Sequence, residues 1–257
     1  MTREQLLDEV DFLARIEHSV CVELLSIHCA LGHDQLPGPG ETGRHVAEAA
    51  EAALATAKHE MSHLSRVNSA LTAAGRPPQV GRASSIPSAA GEISLGPFTQ
   101  PELERFLDRE RQIAAAVDER YARVVAALES PDPVVDGELL GQLSFLLTPA
   151  PDHLEPVADL ERHLDGIGSA EFLRATPQQP ATEVDRTLVA LSDQHYALTV
   201  SLVRASFAHD DELEGELRGR ALAMMDGLNG INGMLVKRGL LPPFTAPAEG
   251  PAPAPHP

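Results

Sequence analysis

The chain has no tryptophan, two tyrosines and seven phenylalanines, so aromatic residues make up only 4% of its 257 positions. Sheets draw on aromatic and β-branched side chains, and a chain this poor in rings is badly equipped for a sandwich or barrel core. Positive charge is also short: 20 Lys and Arg stand against 38 Asp and Glu, a formal net charge of −18. That balance excludes partners held through phosphate backbones or anionic headgroups, so neither nucleic acid nor a membrane surface is expected. No apolar run approaches the ~20 residues of a membrane span, and residues 1–11 carry five charges where a secretory leader needs an apolar stretch. The expected compartment is the cytoplasm. Cysteine is limited to Cys21 and Cys29, which one helix would hold ~12 Å apart, beyond disulfide reach. They are expected to be buried, reduced thiols. Dinucleotide-binding and P-loop signatures are likewise absent.

What remains is a helical palette, rich in Ala and Leu, with 43% hydrophobic and 23% charged residues. The expected fold class is all-α, a single helical domain over residues 1–241 followed by a Pro- and Ala-rich tail, 242–257, expected to be disordered. A capping box, Thr2 with Gln5, opens helix A over about 3–31, which stops at Gly32. Helix B spans about 44–74, helix C about 100–128 after Thr99, Pro101 and Glu102, helix D about 183–207, and helix E about 210–240. Between B and C, the Gly-, Pro- and Ser-rich stretch from Gly75 to Phe98 is long enough to cross over along a bundle. Residues 131–180 are broken by prolines and read as short helices and loops, including 137–147 and 157–167.

The apolar stripes of the long helices carry polar residues where leucines should be. Helix A repeats at Leu6, Val10, Leu13, Glu17, Val20, Leu24, Ile27 and Leu31, and helix B at Val46, Ala50, Ala53, Ala57, Glu60, Leu64, Val67 and Leu71, with His63 on the next ridge. Helix C gives Leu103, Phe106, Glu110, Ile113, Val117, Tyr121, Val124 and Leu128, with Glu119 on its alanine-rich side. Helix D gives Val184, Leu188, Leu191, His195, Leu198, Leu202 and Ala205. An unpaired carboxylate in an apolar core costs several kcal/mol. A divalent ion shared between these groups would satisfy them together.

Residues His59-Glu60-Met61-Ser62-His63 fit two patterns. As H-E-x-x-H they would bind zinc in a peptidase, but His59 shares a ridge with Ala52, Ala55, Ser62 and Arg66, whereas Glu60 lies on the core stripe. As Glu60-x-x-His63 they form the i, i+3 pair of carboxylate-bridged metal proteins. With Ile16-Glu17-His18, the continuation Leu64-Ser65-Arg66-Val67-Asn68 and the exit Gly75-Arg76-Pro77-Pro78, this region resembles the ferritin-like domain related to bacterial iminophenyl-pyruvate dimer synthases. The resemblance covers residues 1 to about 130, and Asp118-Glu119-Arg120-Tyr121 is similar to that family's helix C element.

The resemblance implies a ferritin-like four-helix bundle of A, B, C and D with an additional C-terminal helix. Its core would hold one or two iron ions, or manganese, on Glu17, Glu60, His63, His195 and a helix C acid. Periodicity selects Glu110 for that acid and the resemblance selects Glu119. Ser192 stands where a second Glu-x-x-His would place an acid, which points to a mononuclear or asymmetric site. The implied activity is a non-haem oxidase or oxygenase acting on a small organic molecule in a biosynthetic pathway, with dioxygen as partner, in a chain that could form a homo-oligomer. The alternative is a non-catalytic iron-binding, storage-like or metal-free helical scaffold protein. His18 reads as support for Glu17 or as simple packing, and Tyr121 and Tyr196 as core tyrosines or neighbours of the site. Gly227, Gly230 and Gly233 read as a close helix contact. His153 and His163, with Glu161 and Asp165, have the chemistry to bind metal but lie in the Pro-broken region and read as surface residues.

Overall fold

A computed structural model describes residues 1–32, 40–88, 91–98, 102–130, 135–144, 152–168, 172–176, 178–208 and 211–245. Among them are seven helices: α1 (Arg3–Ala30), α2 (Gly40–Ala73), α3 (Leu103–Leu128), α4 (Gly137–Leu143), α5 (Leu154–Leu164), α6 (Glu183–Ser206) and α7 (Asp211–Lys237). The chain is all-α apart from one small hairpin. No helix among the described residues is long and apolar enough to cross a membrane.

Helix α1 starts at the expected capping box: the Gln5 amide donates to Thr2 Oγ1 at 3.2 Å and the Thr2 amide to Gln5 Oε1 at 2.8 Å. It ends at Gly32, whose φ of +124° suits glycine and where an added Cβ would meet the Arg174 side chain at 3.1 Å. Its first half keeps a solvent face at Glu4 and Asp8, but from Ile16 to Ala30 α1 is enclosed on every side, as a helix segment at the centre of a domain must be. The stripe Leu6, Val10, Leu13, Glu17, Leu24 and Ile27 faces α2 and α3, and Val22 and Cys29 face the opposite way.

Contacts at the two ends fix the helix directions. His28 Nδ1 bonds to the Ala50 carbonyl at 2.8 Å, and Arg76, just past α2, bonds to Asp8 at 2.9 Å, so α2 runs antiparallel to α1. Arg120 reaches Glu9 at 2.7 Å while Arg109 pairs with Glu23, so α3 is antiparallel to α1 as well. Helices α2 and α3 are therefore parallel, and the segment between them returns the length of the bundle. It does so along α1. Val80 O meets His18 Nδ1 at 2.8 Å, the Ala83 amide donates to Arg15 O at 3.1 Å, and the Phe98 amide donates to Ser26 Oγ at 2.9 Å. Where the sequence promised irregular chain, this stretch carries an antiparallel hairpin, β1 (Ser85–Ser88) and β2 (Gly91–Ser94), with Ile86 opposite Ile93 and Ile86 fully buried.

The fourth long helix does not complete the core as expected. Helix α6 packs on α7, joined by a bond from Ser192 Oγ to Asn232 Oδ1 at 2.8 Å, and this hairpin docks on the outer face of α1 through Tyr196, Val200 and Leu228. The expected apolar stripe of helix D points outward, with Val184 57% and Leu198 47% exposed, and the buried side is Asp185, Ser192, Tyr196, Thr199 and Val200. The place beside α2 and α3 is taken by the short α5. The helical unit also extends past residue 241: Phe244 is buried against Tyr196, with ring centroids 5.7 Å apart, and Thr245 bonds to Asp193. The remainder of the expected disordered tail, from 246, lies outside the described residues, as do Thr99 and Pro101 at the start of helix C.

One buried bond chain ties α6 to α1 and to the crossover. Tyr196 Oη donates to His18 Nε2 at 2.9 Å while His18 Nδ1–H donates to the Val80 carbonyl. Tyr196→Phe leaves Nε2 unpaired and is expected to lower stability by about 1–2 kcal/mol, read by denaturant unfolding. Burial, aided by the nearby Arg82, pushes the His18 imidazole down to about 4 despite the Val80 bond. The unfolded chain therefore takes up a proton near pH 6.5 that the folded chain refuses. The contribution of neutral His18 is complete above that pH and is lost as pH falls toward 4. Unfolding titrations over this window should lose on the order of 2–3 kcal/mol more in the wild type than in His18→Gln.

Candidate metal centre

Glu17 enters the core from the middle of α1, where its position on the apolar stripe leaves it 1% exposed. Glu60 projects from the facing stripe of α2 at 2% exposure, and His63 lies three residues on, with 12% of its side chain exposed. The fourth member is His153, which caps α5 at its N-terminus and is 7% exposed. One ligand atom from each of these four residues lies within 4.8 Å of the others. His153 Nε2 is 3.6 Å from Glu60 Oε2 and 3.7 Å from Glu17 Oε1, and His63 Nδ1 is 3.7 Å from Glu60 Oε2.

These separations are too long for hydrogen bonds. They match the edges of a coordination shell, since ligands about 2.0–2.1 Å from a common ion at tetrahedral angles lie roughly 3.3 Å apart. Glu17 Oε2, Glu60 Oε2, His63 Nδ1 and His153 Nε2 are all buried with no hydrogen-bond partner. Native cores rarely tolerate one such atom. Four such atoms on side chains that converge within 4.8 Å are the arrangement that a cation resolves.

The outer atoms of the same side chains are well held. Asp118 Oδ1 accepts from His153 Nδ1 at 2.7 Å and from the His153 amide at 3.2 Å, which fixes the ring and turns the Nε2 lone pair inward. The Tyr121 hydroxyl donates to Glu17 Oε1, and its ring stacks on His153 at 5.4 Å and 23°. Asp118 and Tyr121 sit one turn apart on α3, so a single helix positions a ligand from α1 and another from α5.

The electrostatics describe a cluster that holds protons in place of an ion. Burial first, and then the neighbouring Glu60, raise Glu17 to about 8. Burial also works against the charge of Glu60, but the polar neighbours Glu17, His153 and His63 outweigh it and hold that carboxyl below its usual value. His153 is likewise penalised by burial, yet Asp118, Glu17 and Glu60 raise it to about 12. Cation binding must release these protons.

The structure gathers part of the predicted set and disperses the rest. Glu17, Glu60 and His63 come together. Glu119 does not join them: it stands on the outer face of α3 with a 68% exposed side chain and pairs with Arg123 at 3.0 Å. His195 is also a correction, because α6 lies outside the core. Its Nδ1 is 3.0 Å from the Leu191 carbonyl and its ring lies against Gly227. Glu110 is buried as periodicity required, but it is bonded at 3.1 Å to Arg109, which also holds Glu23. It is not among the four convergent residues, although it lines a cavity of about 30 Å³ shared with Glu60 and His153. His59 is exposed, edge-on to His63, and outside the cluster, contrary to what a zinc-binding H-E-x-x-H helix needs.

His153 is the ligand that sequence reasoning missed. A signal was present, because His153, Val157, Leu160 and Leu164 follow the same 4-3-4 spacing as the other stripes. Extending the short helix back by one turn from Val157 lands on the histidine.

No protein-family model, curated protein or solved structure matches this chain. The site is therefore read from its own geometry. Asp118→Asn keeps an acceptor for His153 but removes the charge, and is expected to weaken binding of Fe²⁺ by 10–100-fold, as changes to such orienting partners do, in anaerobic competition with a chelator.

Proposed function

We propose that this chain is a ferritin-like metalloprotein that holds one iron or manganese ion on Glu17, Glu60, His63 and His153, and acts as a non-haem oxidase or oxygenase on a small organic molecule. The observation that carries the reading is the convergence of four side chains, one ligand atom of each within 4.8 Å of the others, every one of which has a buried polar atom without a hydrogen-bond partner. Two imidazoles with two carboxylates suit iron or manganese better than a thiolate-seeking metal. Bound there, the ion would supply Lewis acidity and a redox couple to a ligand as small as dioxygen. The antiparallel α1–α2 pair and the lengthwise crossover to α3 support the ferritin-like part of the reading.

The chain's own residues would prepare that chemistry. Asp118 sets the tautomer of His153, and the Tyr121 hydroxyl holds one oxygen of Glu17 and keeps a proton at that atom. The cavity of about 30 Å³ next to Glu60 and His153 has room for a water- or dioxygen-sized molecule. Its walls of Val20, Leu24, Ile113, Val117 and Val157 exclude bulk water. A single ion is favoured over two because Glu110, which lines the same cavity, shares the Arg109 guanidinium with Glu23. That cation already occupies the electrostatic place a second metal would take.

The same small volume favours a second reading, an iron-binding protein without catalysis, since no organic molecule fits beside the site. Elemental analysis after anaerobic Fe²⁺ loading tests both. The expected result is one iron per chain in the wild type, in His59→Ala and in Glu119→Ala, with at least a tenfold loss in Glu60→Ala and His153→Ala. Oxygen consumption by the loaded wild type separates an oxidase from a passive binder, tens of irons per chain would indicate storage, and retention of iron in Glu60→Ala and His153→Ala would overturn the site.

A further inference from the structure

Helix α5 runs antiparallel to α2, with His153 at its start beside Glu60 and His63, and it carries a second histidine in its last turn. That residue, His163, meets α2 about three turns nearer its start. His163 Nδ1 lies 3.3 Å from Glu48 Oε2, and His45 Nδ1 lies 3.7 Å from the same oxygen. One ligand atom from each of His45, Glu48 and His163 falls within 4.8 Å of the others. All three residues are partly exposed, with side chains between 27% and 36% accessible, so an ion could enter from solvent.

The separations again match the edges of a coordination shell, roughly 3.3 Å for ligands at metal–nitrogen and metal–oxygen distances of about 2.0–2.1 Å. His45 Nδ1 is a buried atom with no hydrogen-bond partner although its residue reaches solvent. Glu48 is prepared as a ligand by Arg44, whose guanidinium bonds to the other carboxylate oxygen at 2.6 Å and leaves Oε2 turned toward the two rings. A ligating carboxylate is commonly held in this way by an outer partner. Arg44 also brings positive charge near the site, and His45 Nε2 lies 3.2 Å from its Nη2 and 3.8 Å from Glu41. Once Nδ1 is ligated Nε2 carries the proton, and Glu41, 3.8 Å away, is the acceptor on that side.

We infer that His45, Glu48 and His163 form a second divalent-metal site, suited to zinc, that fastens the far end of α5 to α2. Two imidazoles and one carboxylate leave a fourth tetrahedral position to water. The site is separate from the core cluster: Glu48 and Glu60 are twelve residues apart on one helix, about 18 Å of rise. An ion here clamps the last turn of α5, just as the core cluster gathers its first turn, so it holds the helix that delivers His153. The inference does not depend on the core site being a metal centre.

The test uses the full chain with zinc alone, equilibrated with excess Zn²⁺, freed of unbound ion and analysed for metal. His45→Ala and His163→Ala, both at partly exposed positions, should each contain one zinc fewer per chain than the wild type. Glu60→Ala, which alters only the core cluster, should retain that zinc. Zinc should raise the melting temperature of Glu60→Ala, and the rise should vanish when His163→Ala is added. Equal zinc content in wild type, His45→Ala and His163→Ala would overturn the site, whatever the core cluster binds. A zinc-induced rise that survives His163→Ala would overturn the clamp.

Discussion

The structure is organised by the burial of the second half of α1, from Ile16 to Ala30, on every side. A helix segment with no solvent face cannot leave its polar side chains to water, and each one buried without a partner costs on the order of 1–3 kcal/mol. Helix α1 carries several: Glu17, His18, Ser19, Glu23, Ser26 and His28 are all nearly inaccessible. Their partners are what the surrounding elements bring. The crossover comes with carbonyls for His18 and Ser19 and an amide for Ser26, α2 with a carbonyl for His28, α3 with Arg109 for Glu23, and α6 with the Tyr196 hydroxyl. Two carboxylates are met only in part: Glu17, where Tyr121 binds Oε1 and Oε2 has no partner, and Glu23, where Arg109 binds Oε1 and Oε2 has none.

That arrangement explains why an eleven-residue helix stands where a long one was expected. Helix α5 rises only about 16 Å, enough to cover the middle of α2 and to place a histidine at each end. A longer apolar helix would bury more surface but is not needed to cover the site. Val157, Leu160 and Leu164 anchor it against the core. The long α6–α7 hairpin is left to close the other side of α1, where the contact surface is Val22, Tyr196, Val200 and Leu228 rather than a stripe of leucines.

Much of the core was legible because α1, α2 and α3 each bury the face their period-3.6 pattern advertises. Glu17, Glu60 and Glu110 were recognised as interruptions of those faces, and all three are buried. Periodicity failed on α6, whose most apolar stripe is exposed while Ser192 and Thr199 are buried. Hydrophobic spacing reports which face could be buried, and here small hydroxylated side chains allowed a close α6–α7 approach instead. Glu119 illustrates a different error. Resemblance pointed to the right turn of α3, but the residues that serve the site are Asp118 and Tyr121, about 100° and about 160° round the helix from Glu119, and they support ligands rather than ligate. His153 was hidden by the prolines around it, which weaken the impression of a helix without changing the spacing that orients the residue.

The choice between one core ion and two turns on Arg109. Its guanidinium bonds to both Glu23 and Glu110, two acids buried in facing helices beside the cavity shared with Glu60 and His153. In a dinuclear centre, carboxylates at that depth would need a second divalent ion to offset their desolvation. Here one fixed positive charge is shared between them, while burial raises Glu110 to about 7 against the pull of Arg109, so the pair carries less negative charge than two free carboxylates. A second cation would have to displace or approach a guanidinium in a low-dielectric core, where like-charge repulsion is weakly screened. The proposed centre is consequently asymmetric by construction: four convergent ligand atoms on one side of a small cavity, and on the other a pair of acids already held by arginine.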